Sequence, residues 1–142
     1  MPSGVAVLTV ELDGERLGLT VSSFLGLSLD PPLVGVSVNR QAAMHELLRG
    51  AGGFALSLLT EGQDPVPQHF ARGVPPIELW HGIAVRDGET GAPLVDGALG
   101  WIECDLAAAH ETGDHTLFVG EVRRLERGSG ARALLRVGGG YE

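Results

Sequence analysis

The chain has 142 residues and a formal net charge of −8, from 18 acidic and 10 basic side chains, and every basic one is an arginine. That balance excludes a nucleic-acid surface, which needs clustered cations to neutralise phosphates. At 44% hydrophobic and 20% charged the chain is globular, not disordered. Its length suits one domain, residues 1–142.

In chain order, Val5–Val10 is the first expected strand, and "ELDGERLG" turns it back through Asp13-Gly14. Gly18–Phe24 is a second strand. Pro31-Pro32 cannot sit inside a central strand and marks entry to a third, Leu33–Val38. The segment "AAMHELLRGAGG" is the clearest helix, with Ala42, Ala43, Met44, Leu47 and Leu48 on one face and glycines to stop it. Phe54–Leu59 is a strand. "QHFARG" reads as a short helix and "GVPPIELW" as a loop, and Ile83–Arg86 pairs locally across "DGETGAP". Gly97–Ala108 and His115–Arg124 are two long strands joined by "HETGD". Leu134–Val137 follows, and Gly138-Gly139-Gly140 reads as a flexible end. The expected fold is mainly β, a barrel or sandwich of antiparallel strands with one or two short helices, since no βαβ pattern appears.

Cys104 is the only cysteine, so no intramolecular disulfide and no cysteine-based zinc cluster can form. Alternation sets it opposite Glu103 and Asp105, as a core residue and not a nucleophile. The five histidines show no metal-ligand spacing, so no metal is expected. No nucleophile elbow, P-loop or dinucleotide fingerprint occurs. The N-terminus has no signal-peptide pattern, and no apolar run nears the ~20 residues of a membrane span. A cytoplasmic protein with no membrane partner is expected.

The window Gly18–Asn39 holds five hydroxyls, Thr20, Ser22, Ser23, Ser28 and Ser37, but one charge, Asp30. Strand alternation divides the hydroxyls between two faces. They suit turn capping, or neutral support for a planar polar ligand. Ser37-Val38-Asn39-Arg40 ends a strand just before the helix, where backbone N–H groups and a guanidinium favour phosphate; Asn39 as a plain N-cap is the alternative. His115, after Gly113-Asp114, starts a strand at a rim and is either a surface histidine or a titrating site residue.

Several segments together resemble one family: "PSGVAVLT" (2–9), "GLTVSSFLGLSLDPPLVGVSVNR" (18–40), "FALSLL" (54–59), "QHFA" (68–71), "GALGWIECDL" (97–106) and "GDHTLFVGEV" (113–122). The chain is similar to the flavin reductase-like, FMN-binding split-barrel proteins, the reductase components of two-component flavin monooxygenases. The resemblance implies a Greek-key split β-barrel that forms a homodimer, reduces FMN (possibly FAD) with NADH or NADPH, and passes reduced flavin to a partner monooxygenase. By the family's pattern, Thr20, Val21, Ser22 and Ser23 lie against the isoalloxazine, and Ser37, Val38, Asn39 and Arg40 along the ribityl chain and phosphate. Ser57, where asparagine is common, is a further flavin contact. Gly113, His115 and Tyr141 lie on the nicotinamide side, with His115 the catalytic residue. The helix start carries Ala42 and Ala43 where the family often has serine and threonine. The rival expectation is a non-catalytic FMN-binding or electron-carrier module.

Overall fold

The computed structural model describes residues 2–71 and 78–142. Its elements are β1 (Ser3–Gly4), β2 (Ala6–Leu12), β3 (Glu15–Val21), β4 (Phe24–Leu29), β5 (Pro32–Asn39), α1 (Ala43–Ala51), β6 (Gly53–Leu58), α2 (Pro65–Ala71), β7 (Val85–Asp87), β8 (Pro93–Val95), β9 (Gly100–Thr112), β10 (His115–Arg127), β11 (Leu135–Val137) and β12 (Gly140–Tyr141). Seven strands form one antiparallel sheet in the order β3-β2-β6-β9-β10-β5-β4. Its two edge strands, β3 and β4, are consecutive in the chain. Only Ser22 and Ser23 separate them, so the sheet's two ends meet at one corner.

Turn chemistry sets the registers. Asp13 and Gly14 both have positive φ (51° and 84°), as a type I′ hairpin requires, and Leu12 stands opposite Glu15. This tight return starts β3 at Glu15 and ends it at Val21, three residues before the expected end at Phe24. Gly113 (φ 78°) fills the first position of the two-residue β9–β10 turn, with Thr112 opposite His115. Both strands run 13 residues, longer than expected: β9 continues to that turn, and β10 stays paired at its far end up to Arg127, opposite Gly100. Gly138 and Gly139, expected as a flexible end, are instead the positive-φ turn joining β11 to β12.

Two other elements differ from expectation. Residues Phe24–Leu29 form β4, an edge strand the sequence hides because its leucines face outward: Leu25 is 51% and Leu29 96% exposed. Helix α2 begins at Pro65, earlier than "QHFARG", since proline suits the first turn. The loop expected over 73–80 lies largely outside the described residues.

Strand β2 is buried on both faces. Leu8 and Val10 join Phe54, Cys104, Phe118 and the α1 residues Met44 and Leu48 in the main core. Val5 and Val7 face Leu59, Phe70, Val95 and Leu134 in a second cluster. Helix α1 lacks a side-chain cap at Ala42 and ends where Gly52 turns left-handed (φ 73°).

Candidate functional site

The corner where the sheet's ends meet opens as a groove of about 450 Å3, within the roughly 300–1,000 Å3 of small-molecule clefts. Its walls are the end of β3 with Ser22 and Ser23, the end of β5 (Ser37, Val38, Asn39), His115 and Arg136. The expected isoalloxazine and ribityl residues are thus brought together. They do not all present side chains. Val21 and Val38 are buried in the main core and offer the groove backbone only. The Thr20 hydroxyl donates to the Pro67 carbonyl at 2.7 Å, fixing β3 to α2. The Ser23 hydroxyl donates to the Ser37 carbonyl at 2.8 Å, and the Ser37 N–H donates to the Ser23 carbonyl, so these two residues lock the corner. The hydroxyls of Ser22 and Ser37 make no hydrogen bond among the described residues and are open to a ligand.

His115 is half-buried and pairs directly across from Asn39. Its Nδ1–H donates to the Asp114 carboxylate at 2.8 Å, which orients the ring and leaves Nε2 free. The same hydrogen bond, then the imidazole charge, lowers the Asp114 pKa below the ordinary carboxylate value.

Arg40 does not line this groove. It borders a neighbouring cavity of about 480 Å3 that shares Asn39 with it and is also lined by Gln41, His45, Glu46, Arg49 and Asp114. Its guanidinium reaches the Gly113 carbonyl (3.3 Å) and Glu111 (3.5 Å), so β5 is tied to the β9–β10 turn. Asn39 is not the helix N-cap: its Oδ1 accepts from the Gln41 N–H at 2.8 Å, a turn one step upstream of Ala42.

Ser57 is a correction. It sits on β6, fully buried, and its hydroxyl accepts from the Val95 N–H at 3.0 Å. Its side chain faces the β7–β8 hairpin and does not reach the groove. Tyr141 is half-buried against the second core cluster, and Arg136 beside it lines the groove while the tyrosine does not. Cys104 is buried, and burial, then Asp105 and Glu103, push its thiol up to about 12, so no thiolate is available for chemistry at neutral pH.

Comparison with known proteins settles the lineage. The Flavin reductase like domain model matches residues 1–142. The chain belongs to the flavin reductase family. Over 139 residues it is 41% identical to the reductase component of 4-hydroxyphenylacetate 3-monooxygenase from Thermus thermophilus, covering 98% of this chain and 87% of that one. It is 39% identical over 143 residues to an NADH-dependent FAD reductase from Streptomyces globisporus (99% and 78% covered). A structure of the Streptomyces globisporus NADH:FAD oxidoreductase in complex with NAD and FAD fragments superposes with a TM-score of 0.94 at 38% identity, covering 100% of this chain and 85% of that one.

In this flavin reductase family member, sequence reasoning missed Arg136. It reaches the groove from β11, which pairs with β1 through Ser3 opposite Arg136. No local signal marks it. A hint lay in the Gly138-Gly139 turn, which returns the C-terminus as a hairpin and not a tail.

Proposed function

We propose that the chain is an NAD(P)H-dependent flavin reductase that reduces FMN or FAD and supplies the reduced flavin to a partner monooxygenase. One observation carries this reading: the groove at the sheet's meeting ends is walled by hydroxyls, backbone and Arg136, with no thiol and no paired acids among its described lining residues, and one oriented histidine at its rim. Such a wall suits a cofactor reaction in which the protein aligns two rings and performs no bond-making itself. The family membership and the reductase names of the relatives support it.

Flavin, when bound, supplies the two-electron chemistry. The protein's part is positional. Ser22 and the backbone at Val21 would meet the ring's carbonyls and nitrogens, and Ser37, Asn39 and the backbone at Val38 the ribityl chain. Arg40, at the adjoining cavity, would meet the phosphate end, sharing its cation with Glu111. His115, its Nδ1 held by Asp114, would present Nε2 to the nicotinamide. Gly113 acts by shaping that turn, and Tyr141 by packing the C-terminal hairpin beside the groove.

The chain is proposed to be a homodimer. The edge strand β4 exposes Leu25, Leu27 and Leu29 beside the groove corner, and an open edge with apolar side chains calls for cover. We take residues 1–142 as one split-barrel domain, and place it in the cytoplasm on the reduced, disulfide-free cysteine content. Among the described residues no helix is long and apolar enough to cross a membrane.

The test is turnover. Purified protein with FMN, then FAD, should oxidise NADH or NADPH and bleach the flavin's visible absorbance under anaerobic conditions. A folded chain that binds flavin yet oxidises neither nucleotide is the carrier module instead.

A further inference from the structure

A pyridine nucleotide has to reach the groove against the charge of the whole molecule. Each phosphate of its diphosphate is negative, and the chain has a formal net charge of −8. Repulsion of that kind weakens the encounter unless a local cation offsets it. Cations are few, and most are engaged. Arg16, Arg40, Arg86, Arg123 and Arg124 each stand within ion-pair distance of a carboxylate. Arg136 is exposed and forms no ion pair or hydrogen bond among the described residues. It is also the one permanently charged side chain among the groove's described lining residues, none of which is acidic.

We infer that Arg136 recognises the nucleotide: its guanidinium receives the diphosphate of NAD(P)H and so holds the nicotinamide half beside His115. The inference rests on the flavin-reductase reading above. Placement supports it. A single ribose separates the nicotinamide from the diphosphate, so the residue facing the ring and the cation facing the phosphates belong in one groove. His115 and Arg136 line the same one. Tyr141, expected on the nicotinamide side, stands directly opposite Arg136 in the β11–β12 pair, and directly opposite residues share a face of a sheet. On its other side β11 pairs with β1, with Ser3 opposite Arg136, so the arginine's backbone is held from both flanks. The planar fork of a guanidinium suits paired phosphate oxygens.

The flavin phosphate is the competing anion. The groove meets the adjoining cavity at Asn39, and Arg40 and Arg49 line that cavity while Arg136 does not. The two anions therefore have separate cations: the flavin phosphate at the Arg40 end, the nucleotide at the Arg136 end.

The test compares wild type, R136Q and R136K in anaerobic steady-state reduction of FMN, at low ionic strength because exposed charges are screened. Two hydride donors are used: NADH, and benzyl dihydronicotinamide, which has the ring without phosphates. For R136Q the KM for NADH is expected to rise roughly fivefold, the scale of one exposed charge interaction, with kcat, the KM for the phosphate-free donor and FMN affinity each within about twofold of wild type. R136K, which keeps the charge and loses the fork, should stay within about twofold for NADH. ADP-ribose, which has the diphosphate without the nicotinamide, should inhibit R136Q roughly fivefold less well than wild type. No change in any of these, or an equal rise for both donors, would overturn the inference. So would a loss of affinity for FMN but not riboflavin, which assigns the arginine to the flavin phosphate, or a loss confined to NADPH, which assigns it to that nucleotide's extra phosphate. A wild type that oxidises neither donor would sink the reductase reading. Direct titration with ADP-ribose then decides the arginine's role: weaker binding to R136Q upholds the diphosphate contact, and equal binding removes it.

Discussion

At the scale of single residues, the groove separates hydroxyls that hold the fold from those free for a ligand. Thr20 and Ser23 spend their hydrogens on the Pro67 and Ser37 carbonyls; Ser22 and Ser37 do not. Fold support is therefore the role of Thr20 and Ser23, while the hydroxyls of Ser22 and Ser37 are left free to meet a ligand. His115 is the residue whose role is most directly testable. Its Nδ1 is occupied by Asp114, so only Nε2 can serve the nucleotide. One hydrogen bond to a positioned group is worth about 1–1.5 kcal/mol, which is close to a factor of ten. His115→Ala should therefore lower kcat/KM for NADH roughly tenfold, with flavin affinity nearly intact. Steady-state kinetics paired with FMN titration checks this; equal losses in both would mark His115 as a structural support of its turn.

At the scale of elements, the site depends on close strand packing that tolerates no added volume. Gly120 on β10 lies at a register shift against β9, and a Cβ there would stand 2.5 Å from the Cys104 Cβ and 2.6 Å from the Phe54 ring. These are core atoms with nowhere to move. Gly120→Ala should cost about 1–3 kcal/mol by overpacking, read as a lower urea midpoint with unchanged slope. Stability within error of wild type would mean that the bulge relaxes around the methyl group. The β2–β3 return through Asp13-Gly14, the α1 stop at Gly52-Gly53 and the long β9–β10 pair were all legible in the sequence, because each depends on local turn chemistry or periodicity. Strand β4 was not. Its leucines face outward while only Phe24 packs against the core, so the alternation that normally separates core from solvent gives little contrast there. The β11–β12 hairpin was equally hidden, since three consecutive glycines resemble a flexible tail until β1 is known to pair with β11.

At the scale of the whole molecule, the sheet has two edge strands, and β4 is the one that carries exposed leucines, with Leu25, Leu27 and Leu29 at 51%, 41% and 96% exposure. A row of free strand hydrogen-bonding groups flanked by leucines is stable only when covered. Sedimentation velocity at micromolar concentration should show a dimer, and Leu25→Glu combined with Leu29→Glu should shift it to monomer without unfolding, as both side chains are solvent-exposed in the single chain. A monomeric wild type would contradict the proposed assembly.

By itself the sequence determined the β-rich class, the main turns, the buried inert Cys104 and the charge-poor segment that became two walls of the groove. These follow from composition and from interactions within a few residues. Only the tertiary structure decided which of those residues face the groove. Ser57 turned inward to Val95 and Arg40 moved to the adjoining cavity, while Arg136 arrived from the far end of the chain. The reason is geometric. The groove exists only because a seven-stranded sheet brings its first and last edges to one corner, and pairing between distant segments (Ser3 with Arg136, His115 with Asn39) sets what stands there. Local pattern carries no record of such contacts, because strand alternation names two faces but not the neighbour each face will meet.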